Sequence, residues 1–313
     1  MIKQIGRRIL FSIPLLFIVA TTTYFLAALI PGNIARTIVG QEATEQQYLE
    51  VRNSLGLNQP LLLRYWHWLD AALHGNLGQS LFNHESVTGL INVRLEPTLS
   101  VVIAATLVST VIGVSFGVVS ALRPGRLDRL LDGFSALGLA IPPFFLGLVL
   151  VEWFSVRYHL FPAIGYVPLS QSFGSWFHSL VLPVVTLSVA GVAVITKQTR
   201  DAMRDVMDRP FIRTLRASGV SSRSIIFKHA LRNAAIPVTT VVSLMFISIL
   251  SATVLVETVF AVPGLGGLAV TATEESDIPL IQGIVVYFTL IVILVNLIVD
   301  VLYVVLNPKV RTR

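Results

Sequence analysis

The stretch LSVVIAATLVSTVIGVSFGVVSAL, Leu99–Leu122, contains no charged residue. A helix rises about 1.5 Å per residue, so roughly 20 apolar residues span the hydrocarbon of a bilayer. The stretch is therefore a membrane-spanning helix. Five similar runs accompany it: Ile9–Ile30, Leu131–Tyr158, Leu180–Thr196, Ile236–Phe260 and Ile281–Leu306. Six spans define an all-α integral membrane protein. Pro183 and Gly191 interrupt the fourth run and predict a kink there. The first run follows Lys3, Arg7 and Arg8 as a signal peptide would, but it is too long for a typical h-region and reads as an uncleaved helix.

Composition agrees. Of 313 residues, 54% are hydrophobic and 13% charged, with a mean hydropathy of +0.77. A soluble domain carries about 25% charged residues, so too little polar surface is left to cover a water-facing globule. The absence of cysteine excludes disulfides and thiolate metal sites.

The basic residues are distributed by topology. Lys3, Arg7 and Arg8 precede the first span, and Arg123, Arg126 and Arg129 follow the second. Lys197, Arg200, Arg204, Arg209, Arg213, Arg216, Arg223, Lys228 and Arg232 follow the fourth, and Lys309, Arg311 and Arg313 end the chain. These are 18 of the 23 basic residues. Arg36, Arg52, Arg64, Arg94 and Arg157 lie in the alternate loops. Both termini are expected on the cytoplasmic side of the membrane. The net charge of +6 then records orientation, and no nucleic-acid partner is implied.

The chain divides into residues 1–32 (tail and first span), an external segment 33–98, a transmembrane core 99–306 with a cytoplasmic loop 197–235, and a tail 307–313. In the external segment, Leu61–Leu63, Tyr65, Trp66, Leu69 and Leu73 have helical apolar spacing. They suit either an interfacial aromatic belt or a small subdomain that meets a substrate-delivering partner. In the cytoplasmic loop, Asp208 is expected to cap a helix with Pro210 in its first turn and Phe211, Ile212 and Leu215 on one face. Gly219 ends that helix. Ser221 or Ser222 caps a second one bearing Ile225, Ile226, Ala230 and Leu231. A basic loop lying on anionic lipid needs neither caps nor an apolar stripe, so the pattern favours a docking element.

The segment RTLRASGVSSRSIIFKHALRNAAIPV, Arg213–Val238, resembles the cytoplasmic EAA loop of binding-protein-dependent ABC importer permeases, in their dipeptide, oligopeptide and nickel branch. Gly219 stands at the motif's glycine. His229-Ala230-Leu231-Arg232-Asn233 and Ile236-Pro237 match its second half. Arg213-Thr214-Leu215 replace Glu-Ala-Ala, a substitution familiar in this branch. LGLNQPLLLRYWHWL (Leu55–Leu69), HGNLGQS (His74–Ser80), IPPFFLG (Ile141–Gly147), LFPAIGY (Leu160–Tyr166), VETVFAVPGLGGL (Val256–Leu268) and NLIVDVLYVVLNPK (Asn296–Lys309) extend the resemblance along nearly the whole chain. Asn307 stands where the family commonly has Asp.

The resemblance implies a type I importer permease fold. It also implies a second, paralogous permease subunit, two cytoplasmic ABC ATPases that use ATP and Mg, and an external substrate-binding protein. Phe211, Arg213, Thr214, Leu215, Ala217, Ser218, Gly219, His229, Leu231, Arg232 and Asn233 are then the ATPase-coupling residues. No G-x-x-x-x-G-K-[ST] loop is present, so no Walker-type phosphate cradle exists in this chain and hydrolysis belongs to other subunits. No enzymatic activity or cofactor is expected of this one. Short peptides are the expected cargo, with nickel chelates and glutathione as alternatives.

Glu152, Glu257 and Asp300 fall in or at the ends of spans, where carboxylates are costly. They suit polar points of the pathway or subunit interface, structural pairs, or the proton relay of a secondary transporter. Gly113 and Gly117 form G-x-x-x-G, suited to close helix packing within the chain or between subunits. Gly264–Ala269 satisfies G-x-G-x-x-A, but a span precedes it instead of the strand that a dinucleotide site requires. His67, His74, His84, His159 and His178 show no metal-ligand spacing.

Overall fold

The computed structural model describes residues 2–29, 34–40, 43–123 and 125–306. The tail with Asn307 lies outside them. The helices are α1 (Ile2–Ala28), α2 (Ile34–Val39), α3 (Glu45–Ser54), α4 (Leu61–Leu73), α5 (Val87–Leu122), α6 (Arg126–Ala140), α7 (Pro143–Leu150), α8 (Phe173–Met207), α9 (Pro210–Ala217), α10 (Ser222–Ser224), α11 (Leu231–Val259), α12 (Leu265–Glu274) and α13 (Ile278–Leu306). Wider π-helical turns occupy Val151–Arg157 and Ile225–Ala230. Among the described residues there is no β-strand beyond an isolated bridge between Gln79 and Ser86.

Among the described residues, five unbroken helical stretches are long and apolar enough to cross a bilayer. The third expected span is different. Its two halves, Asp128–Ala140 and Pro143–Arg157, bend by 98° at Ile141–Pro142 and make a sixth crossing only if taken together. The expected single helix Leu131–Tyr158 is thus corrected to a broken pair. The cause is local. Proline lacks an N–H and clashes with the preceding turn, and two prolines stand in succession.

Other boundaries also move. Helix α5 begins at Val87, well before Leu99. Helix α8 continues through Pro183 and Gly191 from Phe173 to Met207. The helical spacing of Leu61–Leu73 is realised as α4.

The chain forms two compact units. Of the described residues, one comprises those within 97–262 with 2–6 and 294–306, the other those within 7–96 with 263–293. In the first, α8 is central, with 72% of its most apolar window buried. Val118, Ile195, Ala202, Met203, Val206, Ala230, Ala234 and Val238 form one of its cores. Glycine permits the close approach of α5. A Cβ on Gly113 would lie 2.7 Å from the Ile195 Cβ. The G-x-x-x-G face is therefore packed within the chain.

In the second unit, Leu77, Val87, Ile91, Leu265, Leu268, Ala272, Leu280 and Ile284 cluster, with Trp68 and Phe288 against them. Asp277, fully buried, joins its two sequence-distant parts. Its carboxylate accepts from Ser80 Oγ at 2.5 Å and from the backbone N–H groups of Leu81 at 3.1 Å and Leu280 at 3.2 Å. Gln282 donates to the Ala20 carbonyl at 2.6 Å.

Candidate functional site: a capped helix pair between two spans

Between α8 and α11 the chain folds as the sequence pattern requires, with one change. Asp208 does not cap α9. It closes α8, its N–H bonding back to Arg204, while Arg209 precedes α9 without a side-chain cap. Extended backbone at Arg209 and the fixed φ of Pro210 start α9 instead.

Helix α9 ends in a Schellman motif. The Val220 N–H bonds the Leu215 carbonyl and the Gly219 N–H bonds that of Arg216, each at 3.1 Å. Gly219 has φ +75°, the left-handed conformation that glycine adopts without strain. Ser221 then starts the next helix. Its Oγ accepts from the Ser224 N–H at 3.4 Å. Asn233, inside the helical stretch that runs on from Ser222 into α11, donates to the His229 carbonyl at 2.8 Å.

The element has an anchored side and an outward side. Ile212, Ile225 and Ala230 are buried, and Leu215, Ile226, His229 and Leu231 are half-buried. Phe211, Arg213, Thr214, Arg216, Ala217, Ser218, Gly219, Arg232 and Asn233 are exposed. Phe227 is also exposed, at 59%. The sequence reading missed it, although an aromatic standing out of phase with Ile225, Ile226 and Ala230 was the available signal. An ordered, basic surface bearing Phe211 and Phe227, fixed to the ends of two spans, can transmit displacement.

The three carboxylates occupy unlike surroundings. Glu152 is exposed on the π-helical turn after α7. Glu257 is 1% exposed and accepts the Thr98 hydroxyl at 2.5 Å. Asp300 is half-buried on α13. Glycine-rich Gly264–Ala269 runs into α12 from a helix, and not from a strand.

A second polar group escaped the sequence reading. Asp128 and Asp132 on α6 meet Arg200 and Arg204 on α8. The two arginines had been counted only as signs of orientation.

Long apolar helices, with one further pair sharply bent, define a multi-pass membrane protein. The chain belongs to the family described as binding-protein-dependent transport system inner membrane component, which matches residues 109–312. That family's N-terminal region matches residues 1–102. It is a permease subunit of an ABC importer in the inner membrane.

Among its relatives is the "Probable peptide ABC transporter permease protein y4tP" of Sinorhizobium fredii, 40% identical over 306 residues, covering 97% of this chain and 98% of that protein. The glutathione transport system permease protein GsiC of Escherichia coli K12 is 38% identical over the full length of both. The MetNI methionine ABC transporter, solved in inward-facing conformations, matches in fold at TM-score 0.56 and 18% identity, over 70% of this chain and 97% of that one.

Proposed function

We propose that this subunit lines the translocation pathway for short peptides and receives the ATPase stroke through Phe211–Asn233. The observation that carries the reading is the Gly219 turn. Two caps fix a helix pair whose outer face is exposed and whose inner face is buried. A rigid projection of this kind is what closure of a separate ATPase needs to grip. Two ATPase subunits, a paralogous second permease and an external binding protein complete the assembly, with ATP and Mg used by the ATPases. Both termini and the Phe211–Asn233 element face the cytoplasm, and residues 33–98 face outside toward the binding protein.

Peptide cargo is supported by the relatives named for peptide and for glutathione transport. Glutathione is itself a tripeptide, so both fall in one chemical class.

The test is uptake by vesicles containing the assembled transporter. Di- and tripeptide uptake requires ATP inside the nucleotide-accessible compartment and persists after collapse of the proton gradient. Uptake that follows the proton gradient and ignores ATP would overturn the reading in favour of a proton relay through Glu152, Glu257 and Asp300.

A further inference from the structure

Two acidic residues one turn apart on α6 interlock with two basic residues one turn apart on α8. Arg200 donates from Nη1 to Asp128 Oδ1 at 3.2 Å and to the Asp132 carboxylate, and from Nε to Asp201 at 3.1 Å. Arg204 donates to the other Asp128 oxygen at 2.8 Å. Ser120 of α5 donates to Asp128 Oδ1 at 2.5 Å, and the Ser120 carbonyl accepts from Arg204 at 3.5 Å. Arg200 is 8% exposed.

Isolated surface ion pairs hold little. This group differs, because a planar guanidinium is gripped from several directions and cannot swivel as an ammonium could. The other end of α6 is held too. A Cβ on Gly138 would stand 3.0 Å from the Val189 Cγ1 of α8. Helix α6 is therefore fastened to α8 near both ends. Beyond Arg204, α8 has one more turn before Asp208 and Arg209 lead into α9. Beyond Gly138, α6 reaches the 98° bend.

We propose that the Asp128–Asp132/Arg200–Arg204 ladder is a positioning device for transport, which makes α6 and the bend at Ile141–Pro142 follow displacement of the α8–α9 end. The ladder joins the element that receives force to the broken span. Its carboxylates act through α8 and need no contact with cargo. The proposal rests on the reading of Phe211–Asn233 as the coupling element.

The experiment uses the complete transporter in vesicles and records peptide uptake, KM and ATP hydrolysis together. Asp128→Asn keeps the shape and removes the charge. It is expected to cut uptake per ATP hydrolysed about tenfold, within the usual range for coupling between sites, with KM unchanged. Asp128→Glu restores most of the loss. Asp132→Asn, at a half-exposed carboxylate, gives a smaller loss in the same ratio and serves if Asp128→Asn does not fold. Wild-type uptake per ATP in the Asn variants overturns the proposal. So does a parallel fall of uptake and hydrolysis with the amount of folded protein, which marks a purely structural role. If Gly219→Val abolishes uptake while the Asn variants do not, only the ladder fails. If Gly219→Val also transports normally, the coupling reading fails with it.

Discussion

Gly117 on α5 approaches α8 so closely that a Cβ there would stand 2.5 Å from the Thr199 Cβ and 2.7 Å from the Thr196 carbonyl oxygen. Backbone cannot yield as a flexible side chain can. Gly117→Ala is expected to destabilise the protein by about 1–3 kcal/mol, the usual cost of overpacking. Gly133→Ala is the control, because a Cβ at Gly133 meets nothing within 4 Å. Thermal melting of the detergent-solubilised protein should separate the two. Equal melting temperatures would remove the argument for α5–α8 contact.

Gly219 is different, because open space surrounds its Cβ position and only its φ of +75° constrains it. Left-handed backbone costs an ordinary residue about 1–2 kcal/mol, with Asn the mildest exception. Gly219→Asn should keep most uptake. Gly219→Val should abolish it while the protein persists in the membrane, as seen by uptake assay beside immunoblotting of membranes. Normal transport by the Val variant would remove Gly219 from the coupling role.

Thr98 and Glu257 form a buried pair, so neutralisation and truncation should have unlike effects. Glu257→Gln retains an acceptor for the Thr98 hydroxyl and should transport at near wild-type rate, still insensitive to the proton gradient. Thr98→Val removes the hydroxyl that Glu257 accepts and should cost about 0.5–1.5 kcal/mol, the usual net worth of a hydrogen bond. Calorimetry on the two variants decides the matter. A transport-dead Glu257→Gln protein of normal stability would instead mark Glu257 as functional.

Asp277 starts α13 and ties it to Ser80. Asp277→Ala removes acceptors for three donors and should destabilise by about 2 kcal/mol or more, combining cap and charged-bond losses. Asp277→Asn should be milder, since Asn also caps. Limited proteolysis within residues 74–86 reports the change. Equal resistance of the Ala variant and the parent would contradict the assigned bonds.

Long apolar runs made most spans legible, and the caps made the α9–α10 element legible down to Gly219 and Ser221. Hydropathy misplaced the start of α5 because Arg94 and Glu96 break an apolar run without breaking a helix. Asp208 satisfied the rule for a cap, but the same residue serves the end of α8. Ser80 and Asp277 lie 197 positions apart, and no local pattern links them. Arg200 and Arg204 were visible only as positive charges. Their carboxylate partners sit about 70 residues earlier on a separate helix, and helix pairing is not written in spacing.

The broken third span has one more consequence. Residues 142 and 143 are both proline, so the carbonyl oxygens of Gly138 and Leu139 find no N–H four residues onward. Hydrocarbon offers such oxygens no donor, and irregular backbone at membrane depth persists only against protein or water. The surface around Leu139 and Ile141 is exposed in this chain alone. At hydrocarbon depth these two oxygens would need donors from protein or water. Two missing protons thus set a demand that the rest of the helix does not make.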